Sequence, residues 1–160
     1  MALPLNASDL YHTGIVVSDL DAAMARLGEM AGYRWTKPMS NDVSVRIGAE
    51  VRRVEMSFVY SLQAPHIELI QAVPGTPWVG APGNAVHHLG YFTDTFSETA
   101  DALQHSGFEI EVTADSPSSE PSLFAYFIDA AGIRIEIVDR AVVGDWAAFL
   151  QLLSNEGARQ

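Results

Sequence analysis

The chain is written twice, and that repeat limits the fold more than any local propensity does, because both copies must adopt one supersecondary unit. Tyr11-His-Thr-Gly-Ile-Val-Val-Ser-Asp19 is answered by His87-His-Leu-Gly-Tyr-Phe-Thr-Asp94. Both segments carry His-x-Gly, at 12–14 and at 88–90, then an apolar run and an Asp. Gly32-Tyr33 is echoed by Gly107-Phe108, and Ile67-Glu-Leu-Ile-Gln71 by Ile135-Glu-Ile-Val-Asp139. The offsets are 88 − 12 = 76 at the His, 107 − 32 = 75 at the Gly and 136 − 68 = 68 at the Glu. A single gap after the second strand accounts for the drift.

Each copy reads as a strand, a helix and three more strands. Residues 11–18 form a β-rich apolar run. Ser18-x-x-Asp21 then marks a helix start, with Leu20, Ala23, Met24 and Leu27 on one face and Gly32 as the stop. Strands are expected near 33–38, 52–61 and 66–72, with a long polar loop around 39–51. In the second copy 87–94 is strand-like, Thr95-x-x-Glu98 is a capping box, and Phe96, Ala100 and Leu103 share a helical face. Gly107 closes that helix. Strands follow near 108–113, 122–129 and 133–139, the last two joined by the turn Asp129-Ala-Ala-Gly132.

Pro74-Gly-Thr-Pro-Trp-Val-Gly-Ala-Pro-Gly-Asn84 has the composition of a connector. The expected organisation is one domain over 1–160: module 1 at about 9–72, linker 73–85, module 2 at about 86–140 and a C-terminal helix at about 143–154. Val143, Trp146, Phe149, Leu150 and Leu153 give that helix an apolar stripe, expected to pack on the sheet or on a second subunit.

Composition narrows the chemistry. Nine Lys and Arg against 20 Asp and Glu leave a net charge of −11, which argues against nucleic-acid backbones and anionic membrane surfaces as partners. The absence of cysteine excludes disulfides, thiolate metal sites and a Cys nucleophile. Residues 1–6 lack the charged and apolar regions of a signal peptide, so the cytoplasm is the expected location. Without cysteine, any metal or nucleophile must be served by His, Asp, Glu, Ser or Tyr, and there are just five histidines: His12, His66, His87, His88 and His105.

Strand parity sorts these candidates. His12, Gly14 and Val16 share one face, and by the repeat so do His88, Gly90 and Phe92. Glu68 shares a face with His66 and Ile70, and Glu136 with Arg134 and Val138. If the copies pack as pseudo-twofold mates, His12, Glu68, His88 and Glu136 converge. A carboxylate inside an apolar strand is costly unless paired or metal-bound, and here one recurs at the same repeat position. Two imidazoles and two carboxylates suit Zn, Ni, Co, Mn or Fe(II). His88 is preferred to His87, which has the opposite parity. His66 is read as a substrate group or a solvated strand end, and His105 as a helix C-terminal residue. Glu55 is read as outward. Tyr60, Phe92, Phe127, Trp35 and Met56 are candidates to line a pocket for a small-molecule substrate, although core packing explains them equally well.

The sequence resembles the vicinal-oxygen-chelate superfamily, which includes glyoxalase I, methylmalonyl-CoA epimerase, extradiol dioxygenases and bleomycin-resistance proteins. The resemblance spans roughly residues 9–140 and rests on His12-x-Gly with Ser-Asp-Leu-Asp, Ile67-Glu-Leu, His87-His-Leu-Gly, and Phe127-Ile-Asp-Ala-Ala-Gly-Ile-Arg-Ile-Glu-Ile. It implies an α+β fold of two tandem βαβββ modules in a half-open mixed β-sheet barrel around one divalent metal. His12, Glu68, His88 and Glu136 are then the ligands, in a pattern like that of bacterial glyoxalase I. It further implies a metal-dependent isomerase, epimerase or lyase that moves a proton next to a carbonyl, with Glu136 or Glu68 as base, and a homodimer. The alternatives are an Fe(II)-dependent dioxygenase and a metal-free protein that sequesters a small molecule.

Overall fold

The computed structural model describes residues 3–116 and 122–155. A 3-10 turn (Ala7–Asp9) leads into β1 (Leu10–Val17), α1 (Leu20–Ala31), β2 (Met39–Ile47), β3 (Glu50–Tyr60) and β4 (Ile67–Gln71). A second 3-10 turn (Pro82–Asn84) precedes β5 (His88–Thr93), α2 (Phe96–His105), β6 (Glu109–Ala114), β7 (Phe124–Ile128) and β8 (Arg134–Asp139). Two further helices, α3 (Arg140–Val143) and α4 (Trp146–Asn155), end the described chain. The result is the expected α+β fold: β4 pairs with β1 and β3 in one set of strands, and the order β6-β7-β8-β5 follows from the end of β2 in the other. Among the described residues no helix is long and apolar enough to cross a membrane.

Internal contacts divide the chain into two compact units: Met1–Tyr11, Asp42–Val54 and His88–Val142 in one, His12–Asn41, Glu55–His87 and Val143–Gln160 in the other. The division passes through β1, β2 and β3. The tip of their hairpin groups with the second repeat because Val45, Arg46 and Ile47 pair with Ala114, Thr113 and Val112 of β6.

In the unit that contains α1, the helix starts where the Asp19 carboxylate accepts the Ala22 amide at 2.9 Å. It stops at Gly32, whose φ of 72° suits a residue without Cβ. Ala23, Met24 and Leu27, the expected helical face, pack with Leu20 on Val59 and Leu69. In the other unit Phe96, Ala100 and Leu103 of α2 pack on Ala125 and Phe127 of β7 and on Ile135 and Ile137 of β8. The repeat therefore places one helix against each set of paired strands.

Four local expectations need correction. The polar stretch 39–51 is not a loop but β2, a tight turn at Gly48 (φ 61°) and the start of β3. Only Val45 of β2 is fully buried, so its strand character comes from backbone pairing that composition does not reveal. Residues 33–38 form no strand beyond a single bridge from Trp35 to Ser61. The Thr95 side chain makes no cap bond. Instead Thr93 Oγ1 accepts the Thr95 amide at 3.1 Å and lies 2.7 Å from Thr99 Oγ1, so the strand end organises the helix start. Finally, the C-terminal helix is broken at Gly144 (φ 70°), and Asp145 caps α4 by accepting the Ala148 amide at 2.7 Å.

Candidate metal centre

Alternation along β1 buries His12, Gly14 and Val16, and along β5 it buries His88, Gly90 and Phe92. Both strands pair in parallel with a partner that carries a glutamate. Gly14 is in register with Glu68 of β4, and Gly90 with Glu136 of β8. A glycine beside each glutamate puts no side chain at that register position. Each carboxylate instead meets the imidazole two residues earlier on the neighbouring strand. His12 Nε2 lies 3.1 Å from Glu68 Oε2, and His88 Nε2 lies 3.3 Å from Glu136 Oε2. Each compact unit thus holds its own His–Glu pair.

The repeat extends to a third partner. Antiparallel pairing sets Tyr60 of β3 opposite Glu68 and Tyr126 of β7 opposite Glu136. Tyr60 packs edge-on against His12, with ring centroids 5.5 Å apart, and Tyr126 packs in the same way on His88 at 5.0 Å. Behind them Phe58 lies 5.8 Å from Tyr60, and Phe124 lies 6.2 Å from Tyr126. Such edge-to-face contacts fix ring planes as well as bury area. Tyr126 and the two phenylalanines are not singled out by the sequence reading, although Phe58-Val-Tyr60 and Phe124-Ala-Tyr126 are a further echo of the repeat.

All four titratable groups are buried: His12 is 2%, His88 1%, Glu68 5% and Glu136 8% exposed. Two carboxylates at that depth are tolerated only when hydrogen-bonded, paired or bound to a cation. Imidazole nitrogen with carboxylate oxygen is a donor set of the hard-to-borderline kind that holds first-row divalent ions.

The remaining candidates separate cleanly. Met56 is buried on β3, with the parity of Tyr60. Phe92 stacks on Tyr11 at 3.7 Å, and the Arg140 guanidinium lies 5.1 Å from its ring centroid. Arg140 also pairs with Asp9 and Asp94, and those hydrogen bonds raise its pKa above the ordinary value. Two residues expected at a pocket lie elsewhere. Phe127 has the opposite parity to Tyr126 and is buried in the cluster under α2. Trp35 packs in the cluster under α1, where its indole N–H donates to the Met24 carbonyl at 3.1 Å. A strand presents alternate residues to opposite sides, so each belongs to the helix side of its unit.

His66 bonds through Nδ1 to the Ser61 carbonyl at 3.0 Å and meets Trp146 edge-on at 5.5 Å. Trp146 also packs edge-on against Tyr60 at 5.0 Å, so α4 rests on the tyrosine that contacts His12. Of the other histidines, His87 is buried with Nε2 on the Pro77 carbonyl at 2.7 Å. His105 is exposed, with Nδ1 bonded to the Asp101 carbonyl. Glu55 points to solvent, while neighbouring Arg53 pairs with Asp42.

A model of the glyoxalase/bleomycin resistance protein/dioxygenase superfamily matches residues 11–137. A search of curated proteins finds no match. Among solved structures, the chain is similar to methylmalonyl-CoA epimerase from Mycobacterium tuberculosis, at 19% identity over 87% of this chain and 92% of that one, with a TM-score of 0.57. It is also similar to a variant of the Streptomyces coelicolor methylmalonyl-CoA epimerase in complex with 2-nitronate-propionyl-CoA (19% identity, 82% of this chain, 96% of that one, TM-score 0.56). A hypothetical protein from Bacillus halodurans C-125 shares 14% identity over 81% of this chain and 92% of its own, with a TM-score of 0.53. At these identities the likeness is one of fold.

Proposed function

The chain belongs to the glyoxalase/bleomycin resistance/dioxygenase superfamily, and from that premise we propose that it is a divalent-metal enzyme that moves a proton on the carbon next to a carbonyl. The observation that carries this reading is the donor set. Each unit holds one buried His–Glu pair, His12 with Glu68 at 3.1 Å and His88 with Glu136 at 3.3 Å, and in this reading the two pairs bind one ion. One divalent ion offsets both carboxylate charges and matches the two-nitrogen, two-oxygen donors.

Bound to these residues, a divalent ion supplies Lewis acidity toward a carbonyl oxygen. The side chains do the rest. His12 and His88 present Nε2, their planes set by Tyr60 and Tyr126. Glu136 or Glu68 takes the proton at a carboxylate oxygen and returns it, which makes the chemistry that of an epimerase, isomerase or lyase. The aromatic rings keep water from the strands that carry the pairs. The similar epimerases are described with methylmalonyl-CoA or 2-nitronate-propionyl-CoA bound, so an acyl thioester belongs among the substrates to test, beside simpler carbonyl compounds.

Metal analysis tests the reading most directly. The protein, reconstituted separately with Zn, Ni, Co, Mn and Fe(II) and then desalted, is expected to retain one ion per chain with at least one of them. If no metal is retained at stoichiometry, the proposal fails.

Glu136→Gln separates the alternatives within the superfamily. It preserves shape and removes one charge and one proton acceptor. A proton-transfer enzyme is expected to lose about 10²–10⁴-fold in turnover, whereas a metal-free sequestering protein keeps its affinity for its compound. An Fe(II) dioxygenase ordinarily uses two His and one carboxylate. If both Glu68 and Glu136 held the ion, one position fewer would be left for substrate or oxygen than such an enzyme uses, which favours proton transfer.

A further inference from the structure

The strongest unassigned feature is a cavity of about 790 Å³ between α4 and the segment that joins β3 to β4, within the size range of small-molecule sites. Leu62, Leu150 and the Trp146 ring supply its apolar wall, and Arg34 and His66 its basic groups. Among the described residues, none of its lining side chains is acidic. That is unexpected in a chain with 20 acidic and nine basic residues. The arginines elsewhere are largely consumed in ion pairs: Arg46 with Asp115, Arg53 with Asp42, Arg134 with Glu111, and Arg140 with Asp9 and Asp94. Arg34 is exposed at the cavity and has no carboxylate partner among the described residues. The backbone of a second cation, Lys37, touches α4, donating its amide to the Leu153 carbonyl at 3.4 Å.

We infer that this cavity takes an organic anion: a small molecule with a flat or apolar part against Trp146 and a carboxylate or phosphate held by Arg34. A guanidinium presents paired N–H donors that match either group. Trp146, stacked on Phe149 at 5.8 Å, adds apolar surface to the cavity lining, and it packs edge-on against Tyr60, which packs on His12. The inference deepens the metal-enzyme reading, and rests on it, only in making this anion the charged end of the substrate. Anion binding itself requires no metal. Trp146 and Leu150 of α4 lie outside residues 11–137 matched to the superfamily, whereas Arg34, Leu62 and His66 lie within them.

The test uses the full chain, labelled with ¹⁵N, with the Trp146 indole signal assigned by its loss in Trp146→Phe. Benzoate, phenyl phosphate and neutral benzyl alcohol are titrated in turn. At least one anion is expected to shift that signal at concentrations where benzyl alcohol does not, and the tighter anion names the preferred group. Arg34→Gln is expected to weaken anion binding at least tenfold, Arg34→Lys to retain part of it, and Arg26→Gln on α1 to leave it unchanged. An unmoved indole signal, an equal response to benzyl alcohol, or parent-like affinity in Arg34→Gln would overturn the inference. Metal content measured on the same samples keeps the two ideas apart. Anion binding with no metal at reconstitution sinks the metal-enzyme reading alone, and metal without anion binding sinks this inference alone.

Discussion

His88→Ala is expected to abolish stoichiometric divalent-metal binding, together with the rise in melting temperature that metal confers on the parent chain. A ligand that binds only the folded state stabilises by about 2.7 kcal/mol at one hundred times its Kd. For a domain of this size that is a shift of about 5–10 °C, at roughly 2–4 °C per kcal/mol. His88 is 1% exposed and its Nε2 faces Glu136 at 3.3 Å. Alanine removes that nitrogen from the donor set. His87→Ala is the informative companion. That imidazole is equally buried, but its Nε2 engages the Pro77 carbonyl, so the variant is expected to lose stability and keep the metal-induced shift. Scanning fluorimetry with and without metal reads both. A parent-like shift in His88→Ala, or its loss in His87→Ala, would reverse the assignment of the two histidines.

Phe127→Ala is expected to lower stability by about 3–5 kcal/mol, a fall in melting temperature of roughly 6–20 °C at the same conversion. The ring is fully buried among Phe96, Ala100, Leu103, Ile135 and Ile137. Its removal leaves a void that packed strands and a helix fill only in part. Tyr126, its neighbour on β7, is on the other side of the strand against His88. Tyr126→Phe keeps the ring and removes only the hydroxyl, so its cost is expected to stay within about 1.5 kcal/mol. Urea unfolding of the two variants measures the difference. A mild effect for Phe127→Ala would mean that the β7 side chains face the other way round.

The repeat, the helix faces and the two His–Glu pairs were legible because each depends on spacing. His12 and Gly14 fall two residues apart, and burial in β1 alternates with that period. Leu20, Ala23, Met24 and Leu27 follow the helical period and pack as one face. Where spacing carried no contrast, the reading failed. β2 buries only Val45, so its polar residues resemble a loop, and backbone pairing with its neighbours makes it a strand. For Phe127 the sequence leaves pocket and core equally open, because an apolar run such as Phe124–Ile128 has no polar alternation to reveal its inner side. Trp35 lay in a stretch expected to be a strand, and its indole instead holds α1 through the Met24 carbonyl. Trp146 and Arg34 are 112 residues apart in sequence (146 − 34) and meet only at the cavity.

The sequence by itself thus determined that the chain folds as two like units, and which histidine and glutamate of each unit are buried. Both follow from short-range periodicity, a property of consecutive residues. The register that sets Gly14 beside Glu68 and Gly90 beside Glu136, the side of β7 that meets His88, and the placement of α4 over Tyr60 were decided by the tertiary structure. Strand pairing and helix docking join residues distant in sequence, and side-chain pattern along one segment does not specify its partner's register.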